Sequence, residues 1–529
     1  MKPILAAVAA AALFEAALVG SAPTAFASGP GYHVVTVGPY GGEPSLVSDR
    51  NGHLYDTTPQ GGTLTYRSTD RGLDWTKVTT ADTASGDDCL ATDQSSAVYL
   101  CNLAGSEGNA PLQADVWKTV NGGQSWTHGD GLTPQCATSC SPFGVDRDWV
   151  AASILNGGTD TTKAEVVLMY HDFYGPSQIW VNISHDGGKT FGAPQEVLAG
   201  PAITPGAITG TLVAEGYTFC NTVPAGVGIV PPGQPHAGRI IVGWIAADVA
   251  QNASGCNVSM AQAFHTIWTS YSDDGGQTWT PQQAFDAGVG HDTSTPFVAF
   301  TLDHKGNPYF GFDTNLNANP ATCSAESTAG TLQSDTSCEY DMYVVWSADA
   351  GATWDGGGGL VAGSAATPYR VNTPAETGTH FFPAIAAELP GEVDVAYLRS
   401  PTILPTDSLG KADPGGCGGP GPGNGNPLTF PAPCKWNLFA GQSLNLKKAP
   451  NQAVWSPSQI TTTPVHIGDI CNLGIFCVAP ASNRNLLDFI SETIDNKGYA
   501  HIAFADDNTV NKLRIANQDP GSSPISNPY

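Results

Sequence analysis

The chain alternates between short apolar runs and polar turns along nearly its whole length. The apolar runs are rich in Val, Ile, Tyr, Phe and Trp, as in Met342–Trp346, and Gly, Asp, Asn and Ser cluster between them. Runs of this composition bounded by turn residues are typical of β-strands joined by hairpins. The pattern therefore predicts an all-β fold.

One turn signal occurs five times with the pattern S/T-x-D/N-x-G-x-x-W/F. We call these segments the repeat turns: residues 68–75, 119–126, 184–191, 272–279 and 347–354. The hydroxyl and the carboxylate can bond turn amides, the glycine can take a positive φ, and the aromatic ring can pack between strands. We expect a structural role for them.

A second signal, D/E-x-x-G, joins two apolar runs and predicts a hairpin. Examples begin at Asp49, Asp303, Glu388 and Asp495. The two signals together divide the chain into seven units, near residues 43–80, 86–130, 146–198, 210–286, 291–363, 376–461 and 483–518. The seventh unit is one strand short, and His33–Val37 can supply that strand. Such a closure removes two exposed sheet edges at once.

The repeat turns resemble the Asp-box, or BNR, repeat of sialidase-like β-propellers. The resemblance implies a single β-propeller over residues 28–529, with seven blades by the unit count and six blades, as in catalytic sialidases, as the alternative. In that family the box joins the two outer strands of a blade, on the face away from the active site.

The N-terminus is typical of an export signal, residues 1–27. It has Lys2, an apolar run from Ile4 to Val19, and an A-x-A site ending at Ala27. We expect a secreted, extracellular protein, with a membrane anchor as the alternative. The 12 cysteines agree with an oxidising compartment. Proximity suggests the pairs Cys89–Cys101, Cys136–Cys140, Cys220–Cys256, Cys323–Cys338, Cys417–Cys434 and Cys471–Cys477.

The charge balance excludes several partners. There are 21 Lys and Arg against 47 Asp and Glu, a net charge of −26, which disfavours nucleic acid and anionic membranes. No stretch after the leader is long and apolar enough to span a bilayer.

The sequence lacks the motifs of three enzyme classes: the nucleophile elbow of hydrolases, the zinc-binding motif of zincins and the phosphate-binding loops of nucleotide enzymes. A Gly/Pro-rich insertion at 405–434 leaves the second strand of unit six.

The candidate site lies on the face opposite the repeat turns, where each second strand ends and each first strand begins. Carboxylates there could bind calcium, position sugar hydroxyls, or act as acid and base; alternatively they only cap loop amides. The candidate catalytic residues are Asp148, Asp292, Asp313 and Tyr397. The candidate ligand-binding residues are Arg147, Trp149, His171, Asp172, His291, His380, Arg399, Arg484 and Asp507.

With the resemblance, these residues favour a protein that acts on or binds extracellular glycans, as a candidate glycoside hydrolase. The alternatives are a sugar lyase and a non-catalytic glycan- or protein-binding scaffold with a calcium-binding acidic rim. Calcium is the one cofactor that the rim suggests. We expect a monomer.

Sialic acid is an unfavourable ligand by the same reasoning. The resemblance implies three arginines on the substrate carboxylate, and Arg147, Arg399 and Arg484 are the candidates. The Arg-Ile-Pro motif of the first arginine is missing, and the sequence offers no Glu partner for Tyr397. A net charge of −26 repels an anionic sugar at long range. We expect a neutral glycan or a cation as the ligand.

Overall fold

The computed structural model describes most of the chain after residue 28. The described residues are 29–59, 62–81, 86–104, 113–130, 145–172, 179–197, 210–212, 217–250, 264–288, 293, 297–316, 340–354, 368–401, 434–447, 452–468, 470, 485–508, 512–522 and 525–526. They contain thirty β-strands and one short 3-10 helix, Thr161–Lys163. The strands form seven small antiparallel sheets, which are the blades of a β-propeller. The predicted leader, 1–27, and nearly all of the 405–434 insertion lie outside these residues.

The blades follow the order of the sequence, and the first strand, β1 (Tyr32–Gly38), belongs to the last blade. Blade one contains β2 (Ser45–Ser48), β3 (Leu54–Thr58), β4 (Leu64–Ser68) and β5 (Thr76–Lys77). Blade two contains β6 (Asp88–Thr92), β7 (Val98–Ala104), β8 (Gln113–Thr119) and β9 (Thr127–His128). Blade three contains β10 (Val145–Ser153), β11 (Glu165–Asp172), β12 (Ile179–Ser184) and β13 (Gln195–Glu196).

Blades four and six have five strands each, and blades five and seven have four. Blade four contains β14 (Gly210–Leu212), β15 (Tyr217–Ile229), β16 (Ile240–Ala250), β17 (Thr266–Ser272) and β18 (Thr280–Asp286). Blade five contains β19 (Ala299–Leu302), β20 (Pro308–Thr314), β21 (Asp341–Trp346) and β22 (Tyr369–Arg370). Blade six contains β23 (Thr379–Ala387), β24 (Val393–Ser400), β25 (Lys435–Ser443), β26 (Ser456–Gln459) and β27 (His466–Ile467). Blade seven contains β28 (Ser491–Ile494), β29 (Ala500–Asp506) and β30 (Lys512–Gln518).

The ring closes through its N-terminal strand. β1 pairs antiparallel with β30, with Val34 opposite Ala516, and completes blade seven as its fourth strand. The predicted closure by residues near 33–38 is confirmed, and the six-bladed alternative is wrong. The inner strands β2, β6, β10, β15, β19, β23 and β28 pack against one another around a central channel.

The repeat turns lie between the two outermost strands of blades one to five and share one set of hydrogen bonds. In blade five, the Ser347 hydroxyl donates to Asp349 Oδ1 at 2.7 Å and accepts the Gly351 N–H at 2.8 Å. Asp349 Oδ1 also accepts the Thr353 N–H at 2.7 Å. Gly351 has φ +87°, which side chains disfavour. The sequence pattern therefore encodes a turn that is satisfied within eight residues.

The core lies between neighbouring blades. Trp244, Trp268, Trp346 and Trp436 are fully buried, and Phe381 stacks on Trp436 with ring centroids 5.1 Å apart. The predicted disulfide between Cys89 and Cys101 is present and joins β6 to β7, and Cys434 is also disulfide-bonded. Within the described part of the chain, no helix has the length and apolar character needed to cross a membrane.

Candidate functional site

Each inner strand begins, and each second strand ends, at the face opposite the repeat turns, which we call the loop face. Four residues at the starts of inner strands hold left-handed backbone conformations: Glu43 (φ 48°), Arg147 (55°), Phe382 (56°) and Leu487 (55°). They belong to blades one, three, six and seven. A left-handed residue with a side chain costs about 1–2 kcal/mol. The inner strands surround the central channel, so we call its opening on the loop face the channel mouth.

Arg147 occupies the channel mouth. Its guanidinium donates to Asp488 of blade seven and lies 3.7 Å from Glu43 Oε1 of blade one. The same group lies over the Phe297 ring, 3.9 Å from its centroid, and 5.4 Å from that of Phe489. One cation thus contacts blades one, five and seven from its position in blade three.

Several carboxyl groups surround Arg147. Burial raises the pKa of Glu43 well above its usual range, and Asp488 and Asp87 raise it further while Arg147 opposes them. The guanidinium is within ion-pair distance of both Glu43 and Asp488. One cation therefore faces buried carboxyl groups from two other blades.

Two more predicted residues lie beside this cluster. Burial, with a smaller effect of Arg147, lowers the pKa of His171 to about 3, so its imidazole is neutral. The Trp149 ring lies 5.7 Å from that of Phe489, between centroids. Trp149, Phe297 and Phe489 line a channel cavity of about 90 Å³. The structure thus places Arg147, Trp149 and His171 near one another at the channel mouth.

A second cluster lies where blades five and six meet at the loop face. The Tyr397 hydroxyl donates to Glu376 Oε2 at 3.2 Å. Burial raises the pKa of Glu376, whereas Tyr397, Arg399 and Arg370 act to lower it. Burial also raises the pKa of Tyr397 well above its usual range, followed by the charge of Glu376. The phenol is therefore protonated and its proton points to a carboxylate.

His380 lies beside this pair. Its ring meets that of Tyr397 edge-on, with centroids 5.4 Å apart, and its Nδ1 donates to the Tyr340 carbonyl at 2.7 Å. Burial is the main reason that its pKa falls to about 4. The His380 ring is therefore neutral and fixed in orientation.

The arginines of the second cluster already have partners. Arg399 donates to the Thr377 carbonyl at 2.7 Å and lies over the Phe439 ring. Arg370 donates to Asp341 at 2.6 Å. Neither guanidinium is a free anion-binding group in this conformation.

The other predicted residues are placed as follows. Asp148 and Asp313 are buried at the loop face, and Asp507 bonds His466 Nδ1 at 2.7 Å, tying blade seven to β27. Asp172 ends β11, and its side chain is outside the description. His291, Asp292 and Arg484 lie outside the described residues. Among the described residues, no group of three or more His, Cys, Asp and Glu is arranged to hold a metal ion.

Sequence reasoning missed Glu376, Asp488 and the two phenylalanines at the channel mouth. The sequence did contain a signal for the position of Glu376, because Thr373-x-x-Glu376 is a turn pattern. In the structure the Thr373 N–H donates to Glu376 Oε2 at 3.1 Å. Another was present for Asp488, since Leu487-Asp488-Phe489 repeats the order of Arg147-Asp148-Trp149. In both triplets the first residue is left-handed.

No family model matches the chain. Solved structures that it resembles include an ulvan lyase of a polysaccharide lyase family, PL25, at 11% identity and TM-score 0.45, covering 91% of this chain and 95% of that one. A Hadza microbial sialidase is 11% identical, with TM-score 0.38 and coverage of 87% and 74%. The Trypanosoma rangeli sialidase in complex with sialic acid is 13% identical, with TM-score 0.37 and coverage of 93% and 60%. All three matches have TM-scores below 0.5, and the assignment as a seven-bladed propeller rests on the sheets of this chain itself.

Proposed function

We propose that the protein is a secreted propeller that acts on extracellular glycans at its loop face, as a glycoside hydrolase. The observation that carries the proposal is the 3.2 Å hydrogen bond between the Tyr397 hydroxyl and Glu376. When a phenol donates a hydrogen bond to a carboxylate, the phenol can act as a nucleophile and the carboxylate as the base that accepts its proton. Burial raises the pKa of Glu376 and so makes its carboxylate a better proton acceptor.

In the proposed reaction, Glu376 accepts the phenolic proton while Tyr397 Oη forms a bond to the anomeric carbon and the glycosidic bond breaks. A rim carboxylic acid gives its proton to the departing oxygen, and water then releases the sugar by the reverse steps. Asp148, Asp292 and Asp313 are the candidates for that acid. Tyr397 is fully buried in this structure, so the segment that carries Glu376 has to move for a substrate to reach the hydroxyl.

The proposed substrate is a neutral glycan. Three guanidinium groups at the loop face are engaged: Arg147 by Asp488, Arg370 by Asp341 and Arg399 by the Thr377 carbonyl. Recognition of a sugar carboxylate needs free, convergent arginines. The net charge of −26 also repels an anionic sugar at long range and so favours a neutral one.

The test is an assay of the purified protein on neutral polysaccharides and on sialosides, with and without a chelator. We expect cleavage of a neutral glycan that falls about 10²–10⁴-fold in Glu376→Gln and in Tyr397→Phe. The matched control is Glu196→Gln on β13, because burial also raises the pKa of Glu196, to about 7, far from the pair. Cleavage that survives both substitutions contradicts the assignment of the pair.

A second candidate function is glycan binding without turnover. The full burial of Tyr397 favours it, since a nucleophile without access to substrate does no chemistry. Retention of the protein on an immobilised glycan with no cleavage in the same assay supports this alternative, and loss of retention in chelator supports a role for calcium. Release of sialic acid that is lost in Arg399→Ala contradicts the neutral substrate.

A further inference from the structure

A groove crosses blade five on the face that carries the repeat turns, which we call the turn face. Its cavity has a volume of about 730 Å³, and turns of blades four, five and six line it. The cluster of Tyr397 and Glu376 lies at the loop face, on the opposite side of the ring. The groove is therefore separate from the candidate functional site.

Basic side chains from all three blades line the groove. His236 lies in the turn between β15 and β16, Lys305 in the D-x-x-G turn between β19 and β20, and Lys447 shortly after β25. All three residues are exposed. The one acidic residue among the described residues of the lining is Asp349. In a chain with 47 acidic and 21 basic residues, the groove reverses the overall balance of charge.

The Asp349 carboxylate is engaged within its own repeat turn. Its Oδ1 accepts hydrogen bonds from the Ser347 hydroxyl and the Thr353 N–H, both at 2.7 Å. Its Oδ2 accepts the Thr353 hydroxyl at 2.6 Å. The acidic group of the groove therefore already has donors, and two lysines stand against this single carboxylate.

Lys305 and Lys447 have no acidic partner within the described part of the chain, where the one ion pair of a lysine is that of Lys163. The charge of Lys305 acts on its surroundings. Burial lowers the pKa of His304, and the positive charges of Arg50 and Lys305 lower it further. The two ammonium groups are therefore available to an anion from solution.

Hydrogen bonds hold the lysine-bearing turns in place. The Lys305 N–H donates to Asp303 Oδ1 at 2.8 Å. The Tyr309 hydroxyl donates to Asp303 Oδ2 at 3.0 Å and accepts the Gly391 N–H of blade six at 2.8 Å. The Leu446 N–H, one residue before the second lysine, donates to the Gly391 carbonyl at 3.0 Å. A continuous chain of hydrogen bonds therefore connects the backbone positions of the two lysines.

The wall from blade four is joined to blade five as well. The Arg239 N–H donates to the His236 carbonyl at 2.9 Å. The Arg239 guanidinium donates to the Ala350 carbonyl, in the repeat turn of blade five, at 3.1 Å. The three basic residues are therefore carried by one connected framework.

Between the charged groups the lining is apolar. Pro235, Ala348 and Pro390 line the groove together with the buried Trp346. Sites for small ligands are typically clefts of about 300–1,000 Å³ in which apolar surface provides contact and a few polar groups fix the orientation. The groove has both features.

We propose that the groove binds an oxyanion, a sulfate or phosphate group, between Lys305 and Lys447, with the His236 imidazole as a further donor. Each ammonium is a compact charge with three N–H donors, which suits the several terminal oxygens of such a group. The apolar lining favours an oxyanion carried by a sugar over the free ion. This site is independent of the catalytic role proposed for the loop face.

The test titrates inorganic sulfate, inorganic phosphate, galactose 6-sulfate and galactose into the full-length protein at constant ionic strength. Amide NMR follows the signals of His236, Lys305 and Lys447. We expect the three anions to shift these signals and galactose to leave them unchanged. In the double variant Lys305→Met, Lys447→Met, binding should weaken about tenfold. Tighter binding of galactose 6-sulfate than of sulfate identifies a sugar-borne group, and equal affinity identifies the free ion.

The matched control is Lys497→Met. Lys497 has the same position in the D-x-x-G turn of blade seven as Lys305 has in blade five, and the N–H of each donates to the Asp of its turn at 2.8 Å. This variant should bind as the wild type does, and added NaCl should weaken binding in both. Circular dichroism checks that all variants are folded. Titration curves unchanged in the double variant, or equal shifts with galactose and galactose 6-sulfate, would overturn the oxyanion site.

Discussion

Arg147 donates a hydrogen bond to Asp488 across the channel mouth, joining blade three to blade seven. The two residues are 341 positions apart in the chain. Both side chains are buried, and the guanidinium also lies 3.7 Å from Glu43 Oε1. A single cation therefore compensates the carboxyl groups that blades one and seven place at the mouth.

Replacing this cation should weaken the fold strongly. Arg147→Met leaves Glu43 and Asp488 buried without a counter-charge, and we expect a loss of about 3–5 kcal/mol at neutral pH. The loss should shrink at pH 5, because the raised pKa of Glu43 lets it take up a proton. Urea unfolding at both pH values measures this. Lys77→Met on the exposed strand β5 is the control, and an equal loss in both variants contradicts the prediction.

Substitutions at two glycines should allow the cost of backbone strain to be measured separately from the cost of a steric clash. Gly187 (φ +76°) and Gly233 (φ +81°) are both left-handed, but a Cβ on Gly187 would lie 2.0 Å from the Thr161 carbonyl oxygen, whereas one on Gly233 meets nothing within 4 Å. Gly233→Ala should cost about 1–2 kcal/mol. Gly187→Ala should cost a further 1–3 kcal/mol, roughly, for the clash. Thermal unfolding of the two variants side by side checks the difference.

Glu388 should make the protein more stable in mild acid than in alkali. Burial, aided by neighbouring carboxylates, raises its pKa to about 8, while an unfolded Glu titrates near 4.3. The native state holds the extra proton between these values, so stability falls as the pH rises through that window. Glu388→Gln should flatten the fall, as seen in unfolding midpoints from pH 4.5 to 8.5. A variant profile as steep as that of the wild type contradicts this assignment.

The Cys89–Cys101 disulfide should contribute measurably to stability. It closes a segment with a sequence separation of 12 residues, and a loop of that size gives about 3 kcal/mol through the entropy of the unfolded chain. The double variant Cys89→Ala, Cys101→Ala should retain β-sheet circular dichroism and unfold at lower denaturant. An unchanged midpoint would show that the unfolded state is already constrained in this region.

The division into blades could be predicted from the sequence alone. The hydrogen bonds of each repeat turn are made within eight residues, such as those of Ser347 with Asp349 and Gly351. The local sequence pattern is therefore enough to predict the turn. Strand pairing within a blade is also mostly local, because strands pair with their neighbours in the chain apart from β1 with β30 and β27 with β25. Counting these units left one strand missing in the seventh, and that count predicted the closure by His33–Val37, now seen in β1.

Which side chains meet at the loop face depends on the tertiary structure. Arg147 and Asp488 come from different blades, and Glu376 lies 21 residues before Tyr397, outside any strand. These contacts depend on ring closure and on the reach of single side chains across it. Their protonation depends on burial from several blades at once, a property that no local stretch of sequence contains.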